Sequence, residues 1–184
     1  MRGLPSLAPL PGQKPQSKEN RMLIAHLPVG YTVTRLYMRN QRDNFVLGAG
    51  LVGSVLPDID LIYHVLLSDG RTPHHAYLTH IPIVWIVICA IMLLAQGTWQ
   101  TTIYRAFLAL SLNSLVHVAL DTPMGGIMWL YPASNKMIYF FSLPKAPPHW
   151  IVTAMTHWTF RIEIALLALS TLFLFFQNKT ESNE

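Results

Sequence analysis

The sequence contains a single cysteine and little charge. Cys89 is the only thiol among 184 residues, which excludes both an intramolecular disulfide and a thiolate metal cluster. Charged side chains make up 12% of the chain, whereas hydrophobic side chains make up 52%. A composition this apolar is unusual for a soluble domain, and the length suits one compact unit. The chain is therefore predicted to be a membrane protein with one domain.

The sequence also lacks a clustered basic surface. Its formal net charge is +4, but the basic residues are spread along the chain, and no basic stripe is interleaved with exposed aromatic residues. That pattern gives little support to nucleic-acid binding, so we expect no nucleic-acid partner. Basic residues are most frequent in the N-terminal quarter, for example Lys14, Arg21 and Arg39. The positive-inside tendency predicts that this quarter is cytoplasmic.

Three apolar runs are candidates for membrane-spanning helices. Residues 81–104 contain no charge, and their core, "IPIVWIVICAIMLLA", approaches the ~20 apolar residues that cross a bilayer. Residues 106–120 form a shorter run with polar members, for which a buried helix of a soluble protein is the alternative. Residues 164–176 become long enough only if their helix begins near Trp158.

The rest of the chain divides around this apolar region. Residues 1–20 hold four prolines and show no periodicity, so they are predicted to be a disordered leader. Met22 is an alternative start to Met1, because the residues that suggest chemistry begin just after it. Residues 21–176 are predicted to form a single helical membrane domain, followed by a polar tail at 177–184.

The apolar stretch at residues 44–67 is interrupted by a break at residues 57–60. Small residues that allow close helix contact come first, namely Gly48, Ala49, Gly50, Gly53 and Ser54. The sequence Pro-Asp-Ile-Asp follows, and irregular backbone with two acids is tolerated at membrane depth only inside protein or beside a wet cavity. Asp58 and Asp60 are therefore predicted to face a polar cavity. The alternative is that one caps a helix and the other is solvated.

A polar stripe lies on the helix predicted at 106–120. His117 and Asp121 are four residues apart, which places them on one helix face, and Asn113 lies one turn earlier. A charge in lipid costs at least ~2.5 kcal/mol, so this stripe should face the protein interior. Thr122 precedes Pro123 and is disfavoured in a helix, so the helix is predicted to end at Asp121. A simple bond between His117 and Asp121 is the alternative to a ligand role.

Histidines and aspartates accumulate at the edges of the apolar elements. The set comprises His26, His75, His80, His117, Asp58, Asp60 and Asp121. Imidazole and carboxylate donors suit zinc, manganese or iron. A catalytic zinc site uses about three protein ligands and an open position, so this supply could fill one site or two. A metal-activated water would make the protein a hydrolase.

Two other classes use the same residues. A metal or proton transport protein also carries acids and histidines within its membrane segments, although it would favour ligands deep within several spans. A non-catalytic scaffold with structural metal would have a closed ligand shell. The candidate ligands lie at span ends and in breaks, which favours the hydrolase.

The chain resembles a family of small bacterial inner-membrane proteins described as membrane-bound metal-dependent hydrolases under control of the SOS repressor. The resemblance covers most of residues 22–132 and rests on "AHLPVG", "GSVLPDIDLIYH", "HAYLTH" and "SLVHVALDTPMGGIMWLYP". It implies that the metal is held by His26, Asp58, Asp60, His80, His117 and Asp121. The family usually has arginine where this chain has Ala76, so a basic contact to an anionic substrate is either missing or supplied by Arg71.

Together these observations predict an all-α integral membrane bundle with broken or re-entrant segments and a polar metal-binding centre. The expected function is metal-dependent hydrolysis at the inner membrane. The His-x3-Asp step at His117 and Asp121 is similar to that of helical zinc phospholipases C and single-strand nucleases, and this likeness implies a phosphoester or phospholipid substrate. Zinc is the first choice of divalent metal, and Asp60 is expected either to bind it or to accept the proton of the attacking water. The expected partners are membrane lipid and a small-molecule or lipid substrate.

Overall fold

The computed structural model describes residues 25–39, 41–62, 74–95, 101–123, 125–139 and 158–181. The leader predicted at 1–20, the alternative start at Met22, and Arg71 lie outside these residues. Within them the secondary structure is helical and contains no strand, which confirms the predicted all-α class. The helices are α1 (His26–Met38), α2 (Asn44–Gly53), α3 (Leu56–Ile62), α4 (Pro82–Leu94), α5 (Thr102–Asp121) and α6 (Trp158–Glu181).

Helix α5 is the centre of the bundle. It packs against α1, α2 and α4, and α1 in turn contacts α2 and α6. The helix begins at the hydroxyl of Thr101, which accepts the backbone N–H of Tyr104, and it ends at Asp121. The predicted stop before Pro123 is confirmed. With 20 residues and high mean hydropathy, α5 is long enough to cross a membrane.

Close backbone contact joins α2 to α5. A Cβ atom at Gly53 would lie 2.2 Å from the backbone oxygen of Leu110 on α5, so only glycine fits there. A Cβ atom at Gly50 would meet the side chain of Thr34 on α1 in the same way, whereas one at Gly48 would have no neighbour within 4 Å among the described residues. The predicted role of small residues in helix contact is confirmed at Gly50 and Gly53 but is wrong at Gly48.

The predicted break lies between α2 and α3. The chain leaves the helical path after Gly53, and α3 starts with a tight 3-10 turn at Leu56–Asp58 that contains Pro57. The axes of α2 and α3 differ by 49°, and together they are apolar enough to form one bent span. The prediction of a broken or re-entrant segment is confirmed.

The uncharged run at 81–104 differs from its prediction as one spanning helix. Its described helix, α4, has 13 residues, and Tyr104 belongs to α5. At 1.5 Å per residue α4 is about 20 Å long, shorter than the ~30 Å hydrocarbon core. Helix α6, in contrast, begins at Trp158 as its prediction required and continues through Glu181, into the segment predicted as a polar tail.

Candidate metal centre

The predicted metal ligands meet at one end of the bundle. His26 is the first residue of α1, and His80 precedes the first turn of α4. Asp121 is the last residue of α5, and Asp58 ends the tight turn that begins α3. Four elements that are distant in sequence therefore present their ends to the same point, which explains why the donors lie at span edges.

Four of the donors form a compact group, here called the metal group: Asp58, His80, His117 and Asp121. One ligand atom from each lies within 4.8 Å of the other three. His80, His117 and Asp121 are buried, and the Asp58 side chain is 39% exposed. The group is thus enclosed on three sides and accessible at Asp58.

The separations in the metal group suit one divalent cation. His117 Nε2 lies 3.2 Å from Asp121 Oδ2 and 3.7 Å from Asp58 Oδ1. His80 Nε2 lies 3.5 Å from Asp121 Oδ2 and 3.8 Å from Asp58 Oδ1. A tetrahedral ion with bonds near 2.1 Å has ligand atoms about 3.4 Å apart, so small adjustments would bring all four donors onto one ion.

Hydrogen bonds orient both histidines of the metal group. His117 Nδ1 lies 2.7 Å from the backbone oxygen of Ser54, and His80 Nδ1 lies 2.6 Å from Asp60 Oδ2. Because each of these oxygens only accepts, Nδ1 must donate, which leaves Nε2 as the lone-pair donor toward the centre. His117 Nε2 is buried and forms no hydrogen bond within the described part of the chain. This arrangement is typical of histidines that bind a metal.

Asp60 lies beside the metal group and not within it. Its Oδ2 accepts hydrogen bonds from His80 Nδ1 and from the Thr79 hydroxyl, each at 2.6 Å. Its Oδ1 is buried and has no hydrogen bond among the described residues. This geometry suits a carboxylate that orients a metal-binding histidine. The predicted roles of Asp60 as ligand or proton acceptor stay predictions.

Two further histidines surround the carboxylate of Asp121. His26 Nε2 lies 3.2 Å from Oδ1, and His75 Nε2 lies 3.8 Å from Oδ2. The ring of His26 packs against that of His117 at a 40° tilt with centroids 4.1 Å apart, and the ring of His75 lies 4.8 Å from that of His80. Asp121 therefore has four imidazole rings around it.

The sequence model of the YdjM inner membrane protein family matches residues 22–181. The chain belongs to this family. No curated protein and no solved structure matches the chain. Membership confirms the predicted localisation in the bacterial inner membrane, and the apolar helices described above fit a multi-pass protein.

In this member of the YdjM family, the carboxylates determine the charge state of His80. Burial by itself lowers the pKa of His80, but the side chains of Asp121 and Asp60 outweigh that effect and hold its pKa above the ordinary value. When His80 is protonated, its second ring proton lies on Nε2, because Nδ1 already donates to Asp60. A cation that binds Nε2 must displace that proton, so cation binding and proton release are coupled.

Sequence reasoning counted His75 among the candidate donors, but the ligand set that the family resemblance implies does not contain it. His75 is 3% exposed, and its ring fills the space beside Gly125, where a Cβ atom would lie 1.9 Å from Cε1. His75 and His80 are five positions apart, a spacing that matches no helical repeat, and each belongs to a separate short 3-10 turn. Their shared position at the edge of an apolar element is the sequence signal that pointed to both.

Proposed function

We propose that the protein is a membrane-bound metal-dependent hydrolase of phosphoester or phospholipid-type substrates. The observation that carries the proposal is the metal group itself: two oriented imidazoles and two carboxylates converge on one point, and the group is accessible at Asp58. A catalytic site requires such an accessible side, whereas a structural zinc site is closed.

The residues fit a divalent ion. The Nε2 atoms of His80 and His117 face the centre, and the Asp58 and Asp121 oxygens complete four nitrogen and oxygen donors without a thiolate. Zinc is our first choice for this donor set, and manganese or iron the second. When bound, the ion would supply Lewis-acid catalysis and activate water for hydrolysis.

The protein's own groups prepare the site. Ser54 and Asp60 fix the imidazole orientations, so little reorganisation is needed when an ion or substrate binds. The loop after α5 covers one side: Trp129 Nε1 donates to the Thr122 hydroxyl at 3.0 Å, and Ile127 pairs with Ile138 through two backbone hydrogen bonds. These contacts hold the loop against the end of α5, next to Asp121.

Two observations support an anionic substrate at the membrane surface. Helices α1 and α4 both begin at the site, and the N-terminus of a helix carries a positive partial charge that favours anions. The site also lies at the end of α5, where a spanning helix meets the headgroup region. A phosphodiester in a lipid headgroup, or a small phosphoester in the adjacent water, satisfies both.

Metal counting and hydrolysis test the proposal on the same samples. The detergent-purified protein should hold stoichiometric metal by mass spectrometry and should hydrolyse a substrate in a phosphodiesterase and phospholipase screen. His117→Ala and Asp121→Ala should lose both properties. Ser111→Ala is the matched control, because Ser111 is a buried polar residue on α5 that hydrogen-bonds to Cys89 and Phe107, away from the site. Wild-type protein that holds metal without hydrolysing any substrate would contradict the proposal.

The variant Asp60→Asn distinguishes three roles for Asp60: orienting His80, accepting a proton from water, and binding the metal. Loss of an orienting partner weakens metal binding by roughly 10–100-fold, and excess metal should then restore hydrolysis. If Asp60 accepts the proton of the attacking water, the variant instead binds metal normally and stays inactive. If Asp60 is itself a ligand, the metal content falls and excess metal does not restore activity.

Transport is the competing function, and the burial of the cluster among membrane helices is the observation that favours it. At the other end of the bundle, however, the buried apolar residues Met38, Val46, Ala106 and Ala109 pack together. An ion path through the bundle would have to open this apolar cluster. Metal or proton flux into liposomes that contain the purified protein, abolished by His117→Ala, would establish transport instead.

A further inference from the structure

The two oxygens of the Asp121 carboxylate face different partners. Oδ2 lies near His80 and His117 of the metal group, whereas Oδ1 lies 3.2 Å from His26 Nε2. We propose that Asp121 bridges two divalent cations, the second held by His26 Nε2 and Asp121 Oδ1. This inference rests on the proposed function, because the second ion joins the same centre.

The geometry of His26 is the first argument. His26 is 5% exposed, and its Nε2 has no hydrogen bond within the described residues although Asp121 Oδ1 is only 3.2 Å away. His26 Nε2 is therefore close to Asp121 Oδ1 but is not oriented to form a hydrogen bond with it. Two donors that share a metal ion have this relation, since both point at the ion and are about 3.4 Å apart.

The number of donors is the second argument. The metal group alone offers four donors, which is as many as one ion needs from the protein. His26 is an additional buried imidazole in contact with the same carboxylate, and His75 lies 3.8 Å from it on the Oδ2 side. Carboxylate-bridged pairs of ions about 3.5–4 Å apart are a common arrangement in enzymes that cleave phosphoesters.

The charge of the cluster is the third argument. Asp58, Asp60 and Asp121 together carry three negative charges when ionised, and a histidine that binds metal through Nε2 is neutral. One divalent ion would leave one negative charge, which repels an anionic substrate. Two divalent ions leave one positive charge, which attracts an anionic substrate.

Metal stoichiometry and electron paramagnetic resonance test the bridge. The full-length protein in detergent is stripped with a chelator and reloaded with Zn²⁺ for counting or with Mn²⁺ for spectroscopy. We expect two ions per chain in the wild type, with a spin-coupled spectrum for the Mn²⁺ form. His26→Ala should bind one ion and give an uncoupled spectrum. Leu27→Ala is the matched control, because its side chain is 51% exposed on the same turn, and it should still bind two ions.

Several outcomes would overturn the inference. One ion per wild-type chain, two ions without spin coupling, or two coupled ions in His26→Ala each contradict the bridge. The wild-type measurements decide the question even if His26→Ala fails to fold. Hydrolysis measured on the same samples keeps the two proposals distinct: two coupled ions without turnover overturn the function alone, whereas one ion with turnover overturns the bridge alone.

Discussion

Two helices in the described part of the chain, α5 and α6, are each long enough to cross a bilayer, and they differ in how much protein surrounds them. Half of the α5 span is buried in the bundle, whereas only 11% of the α6 span is buried. The buried helix is also the less apolar of the two. A membrane helix can carry polar side chains when protein covers them, and α5 uses that cover for Asn113, Ser114, His117 and Asp121.

Neighbouring segments accept one hydrogen bond from each of three side chains of the α5 stripe. Asn113 donates to the Thr34 hydroxyl at 2.9 Å, and Ser114 donates to the backbone oxygen of Gly53 at 3.0 Å. His117 donates to Ser54 one residue further along the same segment. The contact of α5 with α2 therefore serves stability and also positions a metal ligand.

The largest expected effect concerns this contact. In Gly53→Ala the new Cβ atom would meet the backbone of Leu110, which cannot move without shifting α5, so the free energy of unfolding should fall by about 3 kcal/mol. Gly48→Ala has open space at Cβ and should be neutral or slightly stabilising. Unfolding in mixed detergent micelles, followed by circular dichroism, measures both. Equal stabilities would show that α5 is not held by its contact with α2.

A smaller difference in the free energy of unfolding is expected between alanine variants of one leucine on each helix. Leu108 on α5 is 6% exposed and Leu169 on α6 is 63% exposed. Leu108→Ala should lower the free energy of unfolding by about 2 kcal/mol, since a cavity replaces packed atoms although lipid is as apolar as leucine. Leu169→Ala should change it by less than about 0.5 kcal/mol. The same unfolding assay tests the pair, and a large effect at Leu169 would indicate an unrecognised partner for α6.

Hydroxyl groups on the two helices provide a third comparison. Ser114→Ala removes a buried hydrogen bond to Gly53 and leaves that carbonyl without its donor, which should cost about 1 kcal/mol. Thr171→Val on α6 removes only an exposed bond to the carbonyl of Leu167 in its own helix and should be close to neutral. Thermal melting of both variants in detergent should rank them in this order, and the reverse order would contradict the burial argument.

The smallest expected effect is a pH dependence at His80, which faces the end of α5. Its raised pKa means that the folded metal-free protein keeps a proton that the unfolded chain loses earlier. The contribution of this proton to the free energy of unfolding is complete below the ordinary pKa of histidine. It is lost as the pH rises through the raised pKa of His80. Metal affinity should change in the opposite direction, because the proton leaves when the ion binds. Melting and Zn²⁺ titration between about pH 6 and pH 9 measure both trends.

Much of the site could be predicted from local sequence rules. The four-residue spacing of His117 and Asp121, the stop before Pro123 and the break at Pro57 each follow from backbone geometry, and the structure contains all three. These rules act within a few residues, so they identify helix ends and faces reliably.

The relations between elements could not be predicted in that way. The convergence of the donors depends on how α1, α3, α4 and α5 pack, and the position of His75 depends on two short turns whose sequence shows no periodicity. Hydropathy likewise identified the uncharged run as apolar but could not divide it between α4 and α5, because both helices draw on apolar residues.

The shortness of α4 has a consequence for the surrounding lipids. Its 13 residues provide a hydrophobic length about 10 Å less than the hydrocarbon core, and several of its outward side chains, including Ile86, Ile91 and Leu94, are exposed. A bilayer adapts to such hydrophobic mismatch by thinning locally. Beside α4, lipid headgroups are therefore expected to be drawn toward the bilayer centre, at the side of the bundle where the helix begins next to His80.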